Sequence, residues 1–330
     1  MGSTSSKSNS RMMRIFIGYD GSSCADSALD DLQRAGLPRE ADAFVLTVSE
    51  VWLPPPPRVE RVQSHSGAAA AAVLERAPSV SFLPDEVLEA SRELALKGAA
   101  RLRSYFADWR VQAEAVAGSP AREVLKKANE WDSDLIVVGC QGCSGLGRFL
   151  LGSVSQKVVS EAPCSVRVAR GTVWKQGSPV RMVIGLDGSL ASQAAVTTVA
   201  SRTWPMGSEV RIVAVEDKLG LLGRIAPHAA QRIENHHIEA RAWLEGLAKA
   251  AAARLRTADL TVSSKIEIGD PKRILVSDAE EWGAECIFLG SSGSRNHVNS
   301  LLLGSVATAV VARAHCSVEI LRARQSIERG

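Results

Sequence analysis

The residues of this chain best suited to chemistry are glycines and serines rather than acids, bases or nucleophiles. Gly139, Gly142, Gly145, Gly147 and Gly152 crowd into the run GCQGCSGLGRFLLGSVS, which closes on Ser153, Val154 and Ser155 at the start of a helical pattern. Glycine lets the backbone approach an oxyanion closely, and successive N–H groups in such a turn form an anion-binding nest. A helix N-terminus adds orphan N–H groups and a favourable dipole. The Ser153 hydroxyl supplies one more donor, so the run has the form of a phosphate cradle, against the alternative of an ordinary glycine-rich loop. Earlier in the chain, Asp20 follows an apolar run in YDGSS. A carboxylate accepts hydrogen bonds and repels phosphate, so Asp20 suits an amine or hydroxyl at the other end of a ligand; a helix-capping turn is the competing explanation.

Several other chemistries fail on spacing. Gly142 to Phe149 approaches G-x-x-x-x-G-K-S/T, but Arg148 stands where the lysine belongs and Phe149 where the magnesium-binding hydroxyl belongs. No G-x-G-x-x-G follows the first apolar run, which disfavours dinucleotide oxidoreduction. Cys140 and Cys143 form a C-x-x-C, yet no second such pair or close histidine pair accompanies them; a metal is not expected, while a redox effect on ligand binding stays open. The six cysteines, at 24, 140, 143, 164, 286 and 316, are too sparse for a disulfide framework and suit reduced, mostly buried thiols.

These residues sit in a chain that repeats itself. RIFIGYDGSSCADSAL near the start is answered by RMVIGLDGSLASQAAV, with Asp20 and Asp187 separated by 167 residues. VAGSPAREVLKKANEWDSDLIVVGCQG is answered by IEIGDPKRILVSDAEEWGAECIFLGSSG, with Gly139 matching Gly290 at an offset of 151. LLGSVSQKVVSEAPCSVRVAR is answered by LLGSVATAVVARAHCSVEILR, with Cys164 matching Cys316 at an offset of 152. The shrinking offset puts an insertion of about 16 residues into the first copy, found in the proline-rich stretch 51–73, which suits an exposed extended spacer. GTVWKQGSP, residues 171–179, separates the copies.

Within each copy, short β-branched runs alternate with longer helical patterns. Strands are expected at 14–18, 43–48, 111–117, 135–139 and 165–169, then at 181–186, 209–215, 261–268, 286–289 and 317–321. Helices are expected at 23–35, about 85–109, 121–131 and 154–161, then at 189–201, 228–256, 271–282 and 306–314. That alternation specifies an α/β fold: two tandem open-sheet domains, each a five-stranded parallel sheet flanked by helices with right-handed crossovers, able to dock as a pseudo-dimer. The expected boundaries are a disordered leader at 1–13, a first domain at 14–172, a second at 180–324 and a tail at 325–330. In such a sheet, ligands bind outside the carboxyl ends of the strands where the winding reverses, which is where both singled-out segments fall.

Composition agrees. The 330 residues fit about two domains, and 45% apolar with 23% charged residues is ordinary for globular chains. A net charge of +3 is too small and dispersed for a phosphate-backbone binder, so nucleic acid is not an expected partner. No apolar run approaches the ~20 residues needed to span a bilayer, and the polar start MGSTSSKSNSRMM lacks a hydrophobic signal core, so no membrane association and a cytoplasmic location are expected. Gly2 with Ser6 fits the loose myristoylation pattern, for which a serine-rich leader is the simpler account.

The chain resembles the universal stress proteins of the UspA type, in their tandem form, over nearly all of 14–324 except the insertion. ATP-binding members carry G-x-x-G, nine residues, then G-S/T, and Gly139, Gly142, Gly152 and Ser153 meet that spacing. The resemblance implies a Rossmann-like sheet of the adenine nucleotide alpha hydrolase-like kind. It implies ATP as the ligand, with or without Mg²⁺: Asp20 at the adenosine end, the backbone of Val48 at the adenine edge, and the glycine run with Ser153, Val154 and Ser155 at the phosphates. Gln141 and Arg148 would be lesser contacts. In the second copy Asp187, Val215, Gly290, Gly293, Gly304 and Ser305 match, but ten residues separate Gly293 from Gly304, Asn296 and His297 occupy the glycine-rich part, and Ala307 replaces Ser155. Either a second ATP site or a degenerate scaffold domain is compatible with this.

The function expected is a stress-linked regulatory ATP binder that forms homo-oligomers. No nucleophile, base and orienting group can be placed together, which argues against catalysis. A weak ATPase or adenylating enzyme of the same superfamily is the alternative, though H-x-G-H is absent and S-G-G-x-D-S is only faintly echoed by DGSSCADS. A nucleotide-free dimerisation scaffold is the third.

Overall fold

The computed structural model describes residues 11–50, 85–140, 151–170, 177–216, 230–291 and 303–322, with backbone alone at 230–237. The first copy contributes strands β1 (Met13–Gly18), β2 (Ala41–Glu50), β3 (Arg110–Gly118), β4 (Leu135–Gly139) and β5 (Ser165–Ala169), and helices α1 (Ser23–Asp31), α2 (Asp85–Tyr105), α3 (Pro120–Glu130) and α4 (Ser153–Glu161). The second contributes β6 (Arg181–Leu186), β7 (Glu209–Glu216), β8 (Thr261–Ile268), β9 (Cys286–Gly290) and β10 (Ser317–Leu321), with α5 (Leu190–Ser201), α6 (Ala230–Arg256), α7 (Pro271–Trp282) and α8 (Ser305–Arg313).

The inner strands are continuous apolar runs because helices cover both their faces. Along β1, alternate side chains go to opposite layers. Ile15 and Ile17 pack with Ala28 and Leu29 of α1 and with Ala99 and Leu102 of α2. Phe16 packs with Val124 of α3 and Val158 of α4. Each such side chain taken fully out of water contributes about 1.5–3 kcal/mol. The second copy repeats the arrangement, with Met182 and Ile184 against α5 and α6 and Val183 against α7.

All ten strands form one sheet in the order β3-β2-β1-β4-β5-β10-β9-β6-β7-β8. Each copy forms the expected five-stranded parallel sheet, and the structure joins the two edge to edge, because β5 and β10 pair antiparallel through Val166↔Ile320, Arg167↔Glu319 and Val168↔Val318. The pairing removes two exposed edges, each otherwise a row of unpaired backbone groups. It also buries charge. Arg167, 1% exposed, bonds Asp31 at 2.6 Å and Glu319 at 3.0 Å, and Arg202 pairs with the same Glu319. Ser317 donates to the other Asp31 oxygen at 2.8 Å. Burial pushes the Glu319 carboxyl upward, but Arg202 and Arg167 outweigh it and hold the group below its ordinary value. On the opposite face of the sheet one apolar core crosses the seam, through Val166, Val168, Val318 and Ile320, running from Val158 and Val159 to Val310 and Val311.

Smaller departures from expectation have local causes. The helix expected over 23–35 stops at Asp31 and tightens into a 3-10 turn, Leu32–Arg34. The helix expected to reach residue 109 ends at Tyr105, since Trp109 stacks on Phe106 with ring centroids 3.9 Å apart and donates to the Pro38 carbonyl at 3.0 Å. The expected leader ends earlier than residue 13: Met13 belongs to β1, and Arg11 forms an ion pair with Asp132. The proline-rich stretch 51–73 and the tail 325–330 lie outside the described residues.

Candidate functional site

The winding reverses between β1 and β4, which pair in parallel through Ile15↔Leu135, Phe16↔Ile136 and Ile17↔Val137. Their carboxyl ends therefore sit side by side, and Asp20 follows one while Gly139 closes the other. On the opposite flank of β1 the register with β2 ends at Gly18↔Leu46. Tyr19 fixes this end: its N–H donates to the Leu46 carbonyl at 2.9 Å and its own carbonyl accepts from the buried Thr47 hydroxyl at 2.8 Å. Burial and a 2.6 Å hydrogen bond to Asp26 push the Tyr19 phenol well above its ordinary value, so it stays a neutral donor.

Asp20 is exposed, and one carboxylate oxygen accepts from the Ser22 N–H at 3.0 Å. The helix cap is the next hydroxyl residue, Ser22, which accepts from the Ala25 N–H at 3.1 Å. The geometry bears out the capping-turn explanation of DGSS: the carboxylate shapes the turn before α1, and Ser22 rather than Asp20 caps the helix.

Gly139 is glycine for a reason that spacing did not disclose. A Cβ there would lie 2.9 Å from the Cys24 carbonyl oxygen and 3.2 Å from the Ala25 nitrogen, so the first turn of α1 rests directly on the end of β4. From the other side the buried Ser155 hydroxyl donates to the Gly139 carbonyl at 2.7 Å, which ties the first turn of α4 to the same residue. Ser155 thereby uses its single O–H within the protein. Gly152 is the N-cap residue of α4 and makes no side-chain cap bond, while Ser153 is exposed at the first helical position. Val154 packs against the core. Gln141, Gly142, Arg148 and Gly293 lie outside the described residues.

The second copy rebuilds most of this. Asp187 accepts from the Ser189 N–H at 3.0 Å, Ser189 caps α5 by accepting from Ser192 at 3.0 Å, and a Cβ on Gly290 would lie 2.7 Å from the Ala191 carbonyl carbon. Val215 sits at the end of β7 as Val48 does on β2. Gly304 is the N-cap residue of α8, again without a side-chain cap bond, and Ser305 is exposed. The tie between helix and strand differs: Ala307 has no hydroxyl, and the Gly304 N–H donates to the Ser291 carbonyl at 2.7 Å. A shallow groove of about 290 Å³, lined by Ile268, Gly269, Asp270, Arg273, Ile274 and Ser277, touches none of the residues named for either copy.

The expectation of six reduced thiols is corrected. Cys24 is disulfide-bonded, whereas Cys164, Cys286 and Cys316 are buried thiols and Cys140 is a half-buried one. Sequence spacing could not disclose this. Thr47 and Ser22 were likewise missed; the signal for Ser22 was present, as a serine three residues before the first buried alanine of α1.

Fold and site together define a tandem α/β protein in which β1 lies beside β4, and β6 beside β9, at the switch point of each half. The chain belongs to the universal stress protein family, whose model matches residues 12–170 and again 180–322. It is similar to universal stress protein Rv2005c of Mycobacterium tuberculosis, 29% identical over 226 residues covering 66% of this chain and 70% of that protein. It is also similar to universal stress protein YxiE of Bacillus subtilis, 29% identical over 48% of this chain and 98% of the relative. The crystal structure of a universal stress protein from Archaeoglobus fulgidus shares the fold at a TM-score of 0.59 and 21% identity, covering 94% of this chain and 98% of that one. Among the described residues, no helix is long and apolar enough to cross a membrane.

Proposed function

We propose that the first copy binds an adenine nucleotide, ATP, and that the protein works as a regulatory nucleotide binder rather than an enzyme. The observation that carries this reading is the start of α4, where Gly152 offers no side chain to cap the helix and Ser153 stands exposed. Helices α1, α5 and α7 are capped by Ser22, Ser189 and Asp270, whereas α3 and α8 share with α4 the lack of a side-chain cap bond. An uncapped N-terminus at the carboxyl end of β4 offers orphan N–H groups to a phosphate. Asp20, on the neighbouring strand end, suits ribose hydroxyls, from which its carboxylate can accept. Backbone and serine donors fit triphosphate oxygens, and Mg²⁺ would travel with the nucleotide.

Equilibrium dialysis with ATP tests the proposal. One ATP per chain is expected, and Gly152→Asp, which sets a carboxylate at the phosphate end, should weaken binding at least tenfold. No binding by the wild-type chain would refute the reading, and two ATP per chain would show that the second copy is also a working site. Unchanged nucleotide after prolonged incubation is the expected result of a turnover assay; release of ADP or AMP that Gly152→Asp abolishes would make the protein an enzyme.

A further inference from the structure

The helices α2 and α6 pack over corresponding turns of the two copies, and their buried residues set the register between them. On α2 these are Ser91, Ala95, Gly98, Ala99 and Leu102; on α6 Leu244, Ala248, Ala251, Ala252 and Leu255 repeat them at a constant offset of 153. The same offset equates Leu94 with Leu247, and both do the same work. A Cβ on Gly21 would lie 2.8 Å from Cδ2 of Leu94, and one on Gly188 would lie 2.9 Å from Cδ1 of Leu247. One turn earlier the copies part: the exposed Ala90 of α2 answers to Trp243 of α6.

Trp243 reaches the turn as well. Its Cη2 would collide with a Cβ on Gly188, and its Cζ2 would lie 2.7 Å away, so the far edge of the indole rests on the turn that carries Asp187. The side chain is still 54% exposed, so the ring stands at the surface beside that turn rather than in the core. The exposure of the two turns differs in the same sense. Asp20 and Ser22 are exposed, whereas Asp187 and Ser189 are half-buried.

We infer that Trp243 is a specificity-determining residue: its indole, laid on the turn at Asp187, keeps from the second switch point the adenine nucleotide that the first one takes. This rests on the nucleotide reading of the first copy. A protein selects by clashes against a ligand as well as by contacts to it. A ribose hydroxyl that donates to Asp187 must come within about 3 Å of the carboxylate. An indole with roughly 150–250 Å² of surface holds the adjoining ground, where the first copy has a single methyl. The described phosphate ends do not separate the copies in this way: Gly304 leaves α8 without a side-chain cap bond as Gly152 leaves α4, and Ser305 is exposed as Ser153 is.

Equilibrium dialysis of the full chain against ATP tests the assignment. Trp243→Ala shortens a side chain that is more than half exposed, so its thermal unfolding should stay near that of the wild type, and its stoichiometry should rise from one ATP per chain to two. Ala90→Trp builds the same ring beside Gly21 and should weaken binding by the first copy at least tenfold. Leu96→Trp sets the ring on the same helix about 200° round from Leu94, at a residue 50% exposed, and should bind as the wild type does. One ATP per chain in Trp243→Ala, unchanged affinity in Ala90→Trp, or an equal loss in Leu96→Trp would overturn the inference and leave the first site standing. Two ATP per wild-type chain would overturn it too, because the second switch point would be open with Trp243 in place. A wild-type chain that binds no ATP would refute the nucleotide reading, and the inference with it.

Discussion

The two copies reach the same backbone arrangement with different fastenings. In the first, a serine hydroxyl ties the start of α4 to the Gly139 carbonyl, and a cysteine side chain on α1 is covalently bonded. In the second, a backbone N–H of Gly304 meets the Ser291 carbonyl, and alanines stand at positions 191 and 307. Backbone-to-backbone fastening preserves a fold under almost any side-chain change. Fastening by a side-chain hydroxyl makes the first copy's arrangement depend on a single residue, Ser155.

The shared part of the molecule should break hardest. Arg167→Met leaves Glu319 and Asp31 in the seam short of a counter-charge, and removing one partner of a buried ion pair costs about 3–5 kcal/mol. Urea unfolding should show that loss, and a shift near zero would mean the seam is not what holds the halves together. Next come Gly139→Ala and Gly290→Ala, which drive a methyl into helix backbone at a cost of about 1–3 kcal/mol. The second should cost more, since its closest approach is 2.7 Å against 2.9 Å; the reverse order in thermal unfolding would contradict the packing described. Ser155→Ala makes the first copy resemble the second and should cost about 1 kcal/mol for the lost hydrogen bond. The same variant should weaken ATP binding several-fold in dialysis, whereas Ala307→Ser should not create a second site.

The smallest effect concerns pH and again separates the copies. His315 stands where the first copy has Pro163. Burial pushes its imidazole below the ordinary value of 6.5, against the opposing pull of Glu280. A lowered native value means that the folded state binds fewer protons than the unfolded one, so the contribution is present above 6.5 and is lost as pH falls through the native value. Urea midpoints of wild type and His315→Asn should therefore separate between pH 7 and 5, with the wild type losing more. Parallel curves would show that His315 titrates as it does in the unfolded chain.

Much of the fold was legible because apolar runs and offsets near 151 carry it directly. The antiparallel seam was missed, yet its signal was there: the repeat aligns Arg167 with Glu319, opposite charges in the middle of otherwise apolar strands. When two equivalent strands pair antiparallel about a two-fold, the residue on the axis faces its own equivalent, and here the charge reversal between Arg167 and Glu319 makes that pairing favourable. The site was legible as a constellation, Asp20 beside Gly139 with Gly152 and Ser153 at a helix start. The reason for Gly139 was not, because glycine for ligand approach and glycine for helix–strand contact look alike in sequence. The bonded state of Cys24 was not legible either, since six sparse cysteines carry no pairing signal of their own.

The seam has a consequence for dilution. Two separate subunits joined along β5-like edges would fall apart at low concentration, and their stability would depend on how much protein is present. Here both partners travel in one chain, so the pairing survives at any concentration and each partner is free to change without the other changing too. A covalent pair of unlike halves keeps one half fixed while the other acquires a cysteine, a serine or an insertion, a division of labour closed to an assembly of identical copies.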